Sequence, residues 1–133
     1  MTTVTLITGA GIGIGRATAL AFAKAGSHVV VTDVLVPQGH AVVAEIKAAG
    51  GSAEFLPLDV RSTEGADAVV AAVEARHGRI DTIVANAGIA HKVPLPALSD
   101  EKWDHTFDID LKGIYRVVRP ALAGMKARAA TAD

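Results

Sequence analysis

The chain has 133 residues, half of them hydrophobic and a fifth charged, which suits one globular domain and argues against disorder. A net charge of −1 gives no reason to expect nucleic acid or an acidic membrane as a partner, and the absence of cysteine excludes disulfides, thiol catalysis and thiolate metal sites. The first apolar run, residues 4–7, is too short for a signal sequence or a membrane span, so we expect a cytoplasmic protein.

The apolar pattern alternates between short strands and longer helical segments. The run from His28 to Asp33 is apolar on both faces, as expected of a buried parallel strand. Strands are predicted over residues 4–8, 28–33, 53–58 and 80–85, and helices over residues 13–25, 37–49, 63–77 and about 99–128. This alternation predicts an α/β fold with a doubly wound parallel sheet, in a single domain that covers residues 1–133.

The last predicted helix is the longest. Pro94 and Pro96 indicate a loop before it, and Ser99 suits the N-cap position because two acidic residues follow in the first turn. Apolar residues then recur at steps of three and four: Trp103, Phe107, Leu111, Ile114, Val118, Leu122 and Met125. This spacing predicts one amphipathic helix over about 99–128.

A glycine-rich loop, Thr8 to Gly15, joins the first strand to the first helix. Glycine permits positive φ in a tight turn and leaves room for a pyrophosphate, and the helix N-terminus that follows favours phosphate groups. A P-loop is excluded because Gly15 is followed by Arg16 and Ala17, and the glycines do not have the G-x-G-x-x-G spacing. The loop therefore predicts phosphate binding, and the alternative is a tight turn without a ligand.

Asp33 ends the second strand, where a nucleotide-binding fold of this kind faces the adenosine ribose. A carboxylate at that position accepts hydrogen bonds from the ribose hydroxyls and repels a 2′-phosphate, which favours NAD over NADP. Arg16 is the opposing signal, since a basic residue near the loop suits a 2′-phosphate. The alternatives for Asp33 are a solvated strand end or a cap for the helix that opens at Pro37.

Four motifs together resemble the short-chain dehydrogenase/reductase family, in the family's order and over almost the whole chain. They are Thr8-Gly9-(x)3-Gly13-Ile14-Gly15, Leu58-Asp59-Val60, Asn86-Ala87-Gly88 and the block from Trp103-Asp104 to Leu111-Lys112-Gly113. The resemblance implies a Rossmann-like sheet with strand order 3-2-1-4, incomplete at the strand-4 edge. It also implies an NAD-dependent oxidoreductase that moves hydride between nicotinamide and an alcohol or carbonyl substrate.

The resemblance assigns cofactor-binding positions as well. The glycines would line the pyrophosphate, Asp59 would bond the adenine amino group with Val60 beside the ring, and Asn86 would steady the central sheet. The predicted set is Gly9, Gly11, Ile12, Gly13, Ile14, Gly15, Asp33, Asp59, Val60, Asn86, Ala87 and Gly88. The alternatives are a helix cap for Asp59 and a turn position for Asn86.

The sequence departs from the family's catalytic pattern in two ways. Asp110 is the catalytic candidate, at the position of the family's catalytic Asn, but a carboxylate only accepts hydrogen bonds where an amide also donates. It either disturbs the family's proton relay or is a tolerated substitution. The family's catalytic Ser and Tyr-x-x-x-Lys pair lie beyond the long helix, so we expect this chain to bind the cofactor without turnover. The alternatives are a non-enzymatic nucleotide-binding module and an inactive truncated fragment.

Two further sets of residues are not expected to form sites. Tyr115, the only tyrosine, stands four residues before Arg119, and we interpret the two as packing and surface charge rather than an active pair. The five histidines include no i, i+4 pair, so no metal site is predicted.

Self-association is expected at two surfaces. In the family's relatives the long helix packs against a partner subunit and strand four is covered by a further strand. We therefore predict a homo-oligomer through helix 99–128 or through the strand-4 edge.

Overall fold

The computed structural model describes residues 1–132 and shows a four-stranded parallel sheet with helices on both faces. The strands are β1 (Val4–Ile7), β2 (His28–Asp33), β3 (Ser52–Pro57) and β4 (Thr82–Val84). The helices are α1 (Gly13–Lys24), α2 (Val36–Ala48), α3 (Thr63–His77), α4 (Asp100–Asp110), α5 (Lys112–Val118) and α6 (Leu122–Ala129). The strand order β3-β2-β1-β4 confirms both the predicted fold class and the predicted topology.

Short-range signals fix where several helices begin and end. The Ser62 hydroxyl accepts a hydrogen bond from the Gly65 N–H and caps α3, which ends at Gly78 in the left-handed conformation with φ of 70°. Ser99 caps α4 in the same way by accepting from the Lys102 N–H at 3.3 Å. The predicted N-cap is therefore confirmed at Ser99.

The sheet separates two hydrophobic cores. β2 is buried along almost its whole length because α1 and α2 cover one face and α3 and α5 cover the other. The parallel register pairs His28 with both Val4 of β1 and Ser52 of β3, so the strands run level with one another. As a result, their carboxyl ends meet at one edge of the sheet, and this edge carries the candidate site.

Two predicted elements differ from those observed. The strand predicted over 80–85 is only Thr82–Val84, and Ile80 is a buried core residue in the irregular segment that precedes it. The continuous helix predicted over 99–128 is wrong, since the segment is divided at Leu111 and by a 3-10 turn over Arg119–Ala121. Pro120 has no N–H to donate within a helix, which explains the second break.

The first break is a tightening of the helix. The Ile114 N–H donates to the Leu111 carbonyl, three residues back, and Leu111 has φ of −108°. The residues at each junction nevertheless keep right-handed helical dihedral angles. Across residues 1–132, no helix combines the length and apolar character that a membrane span requires.

Candidate dinucleotide-binding site

A cavity of about 590 Å³ opens at the carboxyl edge of the sheet, between the glycine loop and the segments that follow β2, β3 and β4. All the predicted cofactor residues except Gly11 and Gly15 line it. The cavity is also lined by apolar residues outside the predicted cofactor-binding set: Val34, Leu35, Leu58, Ile89 and Ile109. Three separate loops thus converge on one concave surface.

The glycines of the loop meet three different requirements. Gly9 and Gly13 have φ of 62° and 56°, in the left-handed region that disfavours side chains. A Cβ at Gly15 would lie 2.1 Å from the Gly9 carbonyl oxygen, so Gly15 is needed for close packing of α1 against the loop. At Gly13, by contrast, a Cβ would meet no atom within 4 Å, because this position faces open space in the cavity.

The head of α1 lies beside this open position. Ile12 occupies the N-cap without a side-chain hydrogen bond, so no capping side chain covers the first turn of α1. The helix therefore presents its N–H groups and its partial positive charge next to the space above Gly13. These features fit a pyrophosphate group, although contacts between the loop and a cofactor stay a prediction.

Asp33 is 7% exposed and lines the cavity at the end of β2. Its Oδ2 accepts a hydrogen bond from the Gly11 N–H at 2.8 Å, and its Oδ1 accepts from the Leu35 N–H at 2.9 Å. Gly11 therefore holds Asp33 in place instead of lining the cavity. The N-cap of α2 is Leu35, so Asp33 is not that helix's cap. Since an ionised carboxylate offers about four acceptor positions, two remain for a ligand.

Asn86 joins the loop after β4 to the glycine loop. Its Nδ2 donates to the carbonyl oxygens of Thr8 and Gly9, both at 3.1 Å. In return, the Thr8 hydroxyl accepts from the backbone N–H groups of Asn86 and Ala87, both at 3.0 Å. This reciprocal set of bonds fixes the floor of the cavity by tying together segments nearly eighty residues apart.

Asp59 and Val60 follow β3 at the cavity wall. The Asp59 carboxylate accepts from the backbone N–H and the guanidinium of Arg61, and this pairing lowers the pKa of Asp59 below its ordinary value. Ser62 caps α3, so Asp59 does not cap that helix. Val60 is buried, and its carbonyl accepts from the Arg116 guanidinium at 3.0 Å.

Sequence reasoning missed the contribution of Arg116. This arginine is 6% exposed on α5, and besides Val60 its guanidinium bonds the Asp108 carbonyl and carboxylate. It therefore links the cavity wall after β3 to the long helical segment. Its separation of 56 residues from Val60 left no signal in the sequence.

Asp110 lies at the end of α4 and outside the cavity lining. Its Oδ1 accepts the backbone N–H of Ile89 at 2.8 Å, which anchors the loop that follows Gly88. An asparagine oxygen could accept the same bond, so the substitution preserves this contact and changes only the second polar atom. A catalytic role for Asp110 remains a prediction.

Tyr115 and Arg119 form a surface pair on the long helical segment. The Tyr115 side chain is 52% exposed, and its hydroxyl accepts from the Arg119 guanidinium at 3.0 Å. Arg119 also lies 3.4 Å from Asp67 on α3. The pair is remote from the residues that line the cavity, as expected for packing and surface charge.

Comparison with known proteins identifies the family. The sequence profile described as "short chain dehydrogenase" matches residues 3–132, almost the whole chain. The chain therefore belongs to the short-chain dehydrogenase family, which confirms the resemblance drawn from the four motifs.

Individual relatives agree with this assignment. The chain is 43% identical over 118 residues to a peroxisomal hydratase-dehydrogenase-epimerase of Neurospora crassa, covering 89% of this chain and 13% of the relative. It is 36% identical over 116 residues to the 2,3-dihydro-2,3-dihydroxybenzoate dehydrogenase of Bacillus subtilis, covering 87% of this chain and 44% of that enzyme. The chain thus spans half or less of the length of these curated relatives.

Solved structures share the fold. A metagenomic short-chain oxidoreductase in complex with NADP matches with a TM-score of 0.89 and 36% identity, covering 95% of this chain and 57% of that one. A gluconate 5-dehydrogenase from Burkholderia cenocepacia, in complex with NADP and tartrate, matches with a TM-score of 0.86 and 32% identity, covering 95% and 49% of the two chains. A nicotinamide dinucleotide is therefore the cofactor class of such neighbours.

Proposed function

We propose that this chain provides the dinucleotide-binding part of an oxidoreductase that transfers hydride between a nicotinamide cofactor and an alcohol or carbonyl substrate. The observation that carries the proposal is the open position above Gly13, beside the uncapped head of α1 and inside the cavity. When bound there, the cofactor supplies the hydride chemistry. The residues of this chain bind the pyrophosphate, the ribose and the adenine.

Within this function we propose that NAD is preferred to NADP. The Asp33 carboxylate lines the cavity with two acceptor positions unused, so it suits the two ribose hydroxyls and repels a 2′-phosphate. Arg16, the residue that favours a 2′-phosphate, is paired with Glu45 of α2 at 2.6 Å. That pairing reduces its attraction for a phosphate, although the neighbours named above were solved with NADP.

A titration of nicotinamide fluorescence with NADH and with NADPH tests both the cofactor site and the preference for NAD. We expect tighter binding of NADH, and Asp33→Ala should weaken that binding by roughly 1–3 kcal/mol, because ribose hydroxyls then lack an acceptor. Asp33→Asn, which keeps one oxygen, should have an intermediate effect, and Asp67→Asn on the exposed face of α3 serves as the control. Tighter binding of NADPH would contradict the NAD preference, and no binding of either would contradict the cofactor site.

We also propose that the chain associates with further copies of itself. Apolar side chains on the outer face of the segment from α4 to α6 are between 42% and 60% exposed: Trp103, Phe107, Leu111, Ile114, Tyr115 and Leu122. All of them except Trp103 line a broad surface depression of about 1030 Å³. Among residues 1–132, β4 has a neighbouring strand on one side only. Both surfaces gain stability from cover by a second copy.

A further inference from the structure

Three side chains from three elements meet at the amino-terminal edge of the sheet, opposite the cavity. His28 begins β2, Glu54 lies on β3, and His77 ends α3. The register pairs His28 with Ser52, so Glu54, two residues further along, projects from the same face of the sheet. This face packs against α3, which brings His77 into the cluster.

The two imidazole rings converge on one carboxylate oxygen. The Nε2 atom of His28 lies 3.4 Å from Glu54 Oε1, and the Nε2 atom of His77 lies 2.6 Å from the same oxygen. The potential ligand atoms of the three residues all lie within 4.8 Å of one another. The ring centroids of His28 and His77 are 4.4 Å apart, and the ring planes are tilted by 38°.

Second contacts hold two of these groups in position. His28 Nδ1 lies 2.6 Å from the Ser52 hydroxyl, which orients the ring and directs Nε2 toward Glu54. The other oxygen of Glu54, Oε2, accepts from the Arg76 guanidinium, which leaves Oε1 for the histidines. Metal-binding imidazoles and carboxylates characteristically have hydrogen bonds of this kind on their second polar atom.

We propose that His28, Glu54 and His77 bind a divalent transition-metal ion, with zinc the best match and water completing the coordination. Two imidazoles and one carboxylate are a typical three-residue ligand set for zinc. Zinc–ligand bonds of about 2.0–2.1 Å place tetrahedral ligands roughly 3.3 Å apart, close to the separation of His28 from Glu54. The shorter separation between His77 and Glu54 must widen by a side-chain rotation.

The surroundings permit that rotation and the added charge. His77 is the last residue of α3, and its side chain is 26% exposed, so the ring has room to move. The Arg76 side chain is 54% exposed and can turn toward solvent when a cation binds to the carboxylate.

Such a metal site differs from the dinucleotide cavity both in its location and in the effect that a bound ion would have. It joins the end of α3 to the β2–β3 side of the sheet, and none of its residues lines the cavity. A bound ion would therefore stabilise the fold at the edge opposite the proposed cofactor. The expectation of no metal site considered only spacing within single elements, which misses ligands that three elements contribute.

Titration calorimetry of chelator-treated, untagged protein with Zn²⁺ tests the proposal. We expect one ion to bind per chain. His77→Gln and Glu54→Gln should each reduce the affinity at least about tenfold, and Zn²⁺ should raise the melting temperature of the wild type. His105→Gln is the matched control, because His105 and His91 form the other close histidine pair, with ring centroids 5.8 Å apart. Equal binding by His77→Gln and the wild type, or loss of binding in His105→Gln, would overturn the site.

A measurement on the wild-type protein removes any dependence on variants that fold poorly. Co²⁺ in place of Zn²⁺ should give visible absorption bands and paramagnetic shifts of the ring protons of His28 and His77 in proton NMR. We expect the signals of His40, whose ring lies against Phe55 on the opposite face of the sheet, to be shifted much less. Absence of these shifts at saturating Co²⁺ would overturn the proposal even if calorimetry detects binding elsewhere.

Discussion

Asp81 anchors the amino-terminal strand to the turn that precedes β4. Its Oδ2 accepts the Val4 N–H at 2.7 Å, and both carboxylate oxygens accept from the Arg79 guanidinium. The hydrogen bond with Arg79 is the main cause of a pKa below the ordinary 3.8 of Asp81. Since the folded pKa is below the unfolded one, the pairing stabilises the protein above the unfolded pKa, and this stabilisation is lost as pH falls through the folded pKa.

Substitution of Asp81 by Asn should therefore lower the free energy of unfolding by about 1–2 kcal/mol at neutral pH, as expected for a charged hydrogen-bonded pair that is partly exposed. The difference from wild type should shrink in the acid range, below the ordinary pKa of Asp81. Urea unfolding followed by circular dichroism across this range measures both effects. Asp67→Asn, with a half-exposed carboxylate, is the control. A difference independent of pH would show that the charge of Asp81 does not stabilise the fold.

At the scale of single residues, the sequence predicts positions whose reason is local. Gly13 and Asp33 follow directly from the loop and from the end of a strand, and both line the cavity. The bonds from Asn86 to Thr8 and from Arg116 to Val60 join residues 78 and 56 positions apart. No pattern in a single sequence reports such pairs. The family resemblance therefore indicated that Asn86 matters, but only the structure shows the hydrogen bonds that explain why.

Among the elements, α2 packs closely on β3 because residue 39 is glycine. A Cβ at Gly39 would lie 2.1 Å from Cε2 of Phe55, so Gly39→Ala forces the ring or the helix to move. Alanine gains about 1 kcal/mol in helix propensity, and overpacking costs roughly 1–3 kcal/mol. We expect a net loss of roughly 0–2 kcal/mol in the free energy of unfolding.

Adding Phe55→Leu to Gly39→Ala isolates this contact. Each single substitution should destabilise the protein, and the double variant should be more stable than the sum of the two effects by about 1 kcal/mol, because the smaller side chain makes room for the new methyl group. Chemical unfolding of all four proteins gives the coupling energy. Simple additivity would show that Gly39 and Phe55 do not limit the approach of α2 to the sheet.

Helix and strand positions were predicted best where a glycine separates one element from the next. Three of the four predicted helices occur as single helices, and a glycine with positive φ follows each of them within two residues. The prediction of one long helix was wrong, although Pro120 indicated a break. The regular apolar spacing continues across Pro120 and favoured a continuous helix. Nothing in the sequence indicates that β4 is short, since a buried isoleucine such as Ile80 suits an irregular segment as well as a strand.

At the scale of the whole molecule, the exposed apolar residues of the segment from α4 to α6 predict self-association. Full burial of one such side chain is worth about 1.5–3 kcal/mol, so a few together suffice to drive association. Ile114→Glu should shift the protein toward the monomer in sedimentation at micromolar concentration. Leu95→Glu is the control, because Leu95 is 77% exposed but lies outside this surface. A wild type that is monomeric and unfolds cooperatively would contradict the prediction.

The strand order also belongs to this scale, and it came from family resemblance rather than from periodicity. Alternation of strands and helices fixes a parallel sheet, but it does not fix which strand lies beside β1. The cluster of His28, Glu54 and His77 arises only from that order, together with the register of β2 and β3.

The central claim is that a nicotinamide dinucleotide binds in the cavity above Gly13, and one pair of variants tests it directly. Gly13→Ala places a methyl group in open space where the pyrophosphate is proposed to lie, and Gly78→Ala adds one at a similar positive φ of 70° far from the cavity. Both substitutions carry a backbone strain of about 1–2 kcal/mol. In calorimetric titration with NADH, we predict at least about a tenfold loss of affinity for Gly13→Ala and little change for Gly78→Ala. Equal affinities of the two folded variants would contradict the claim.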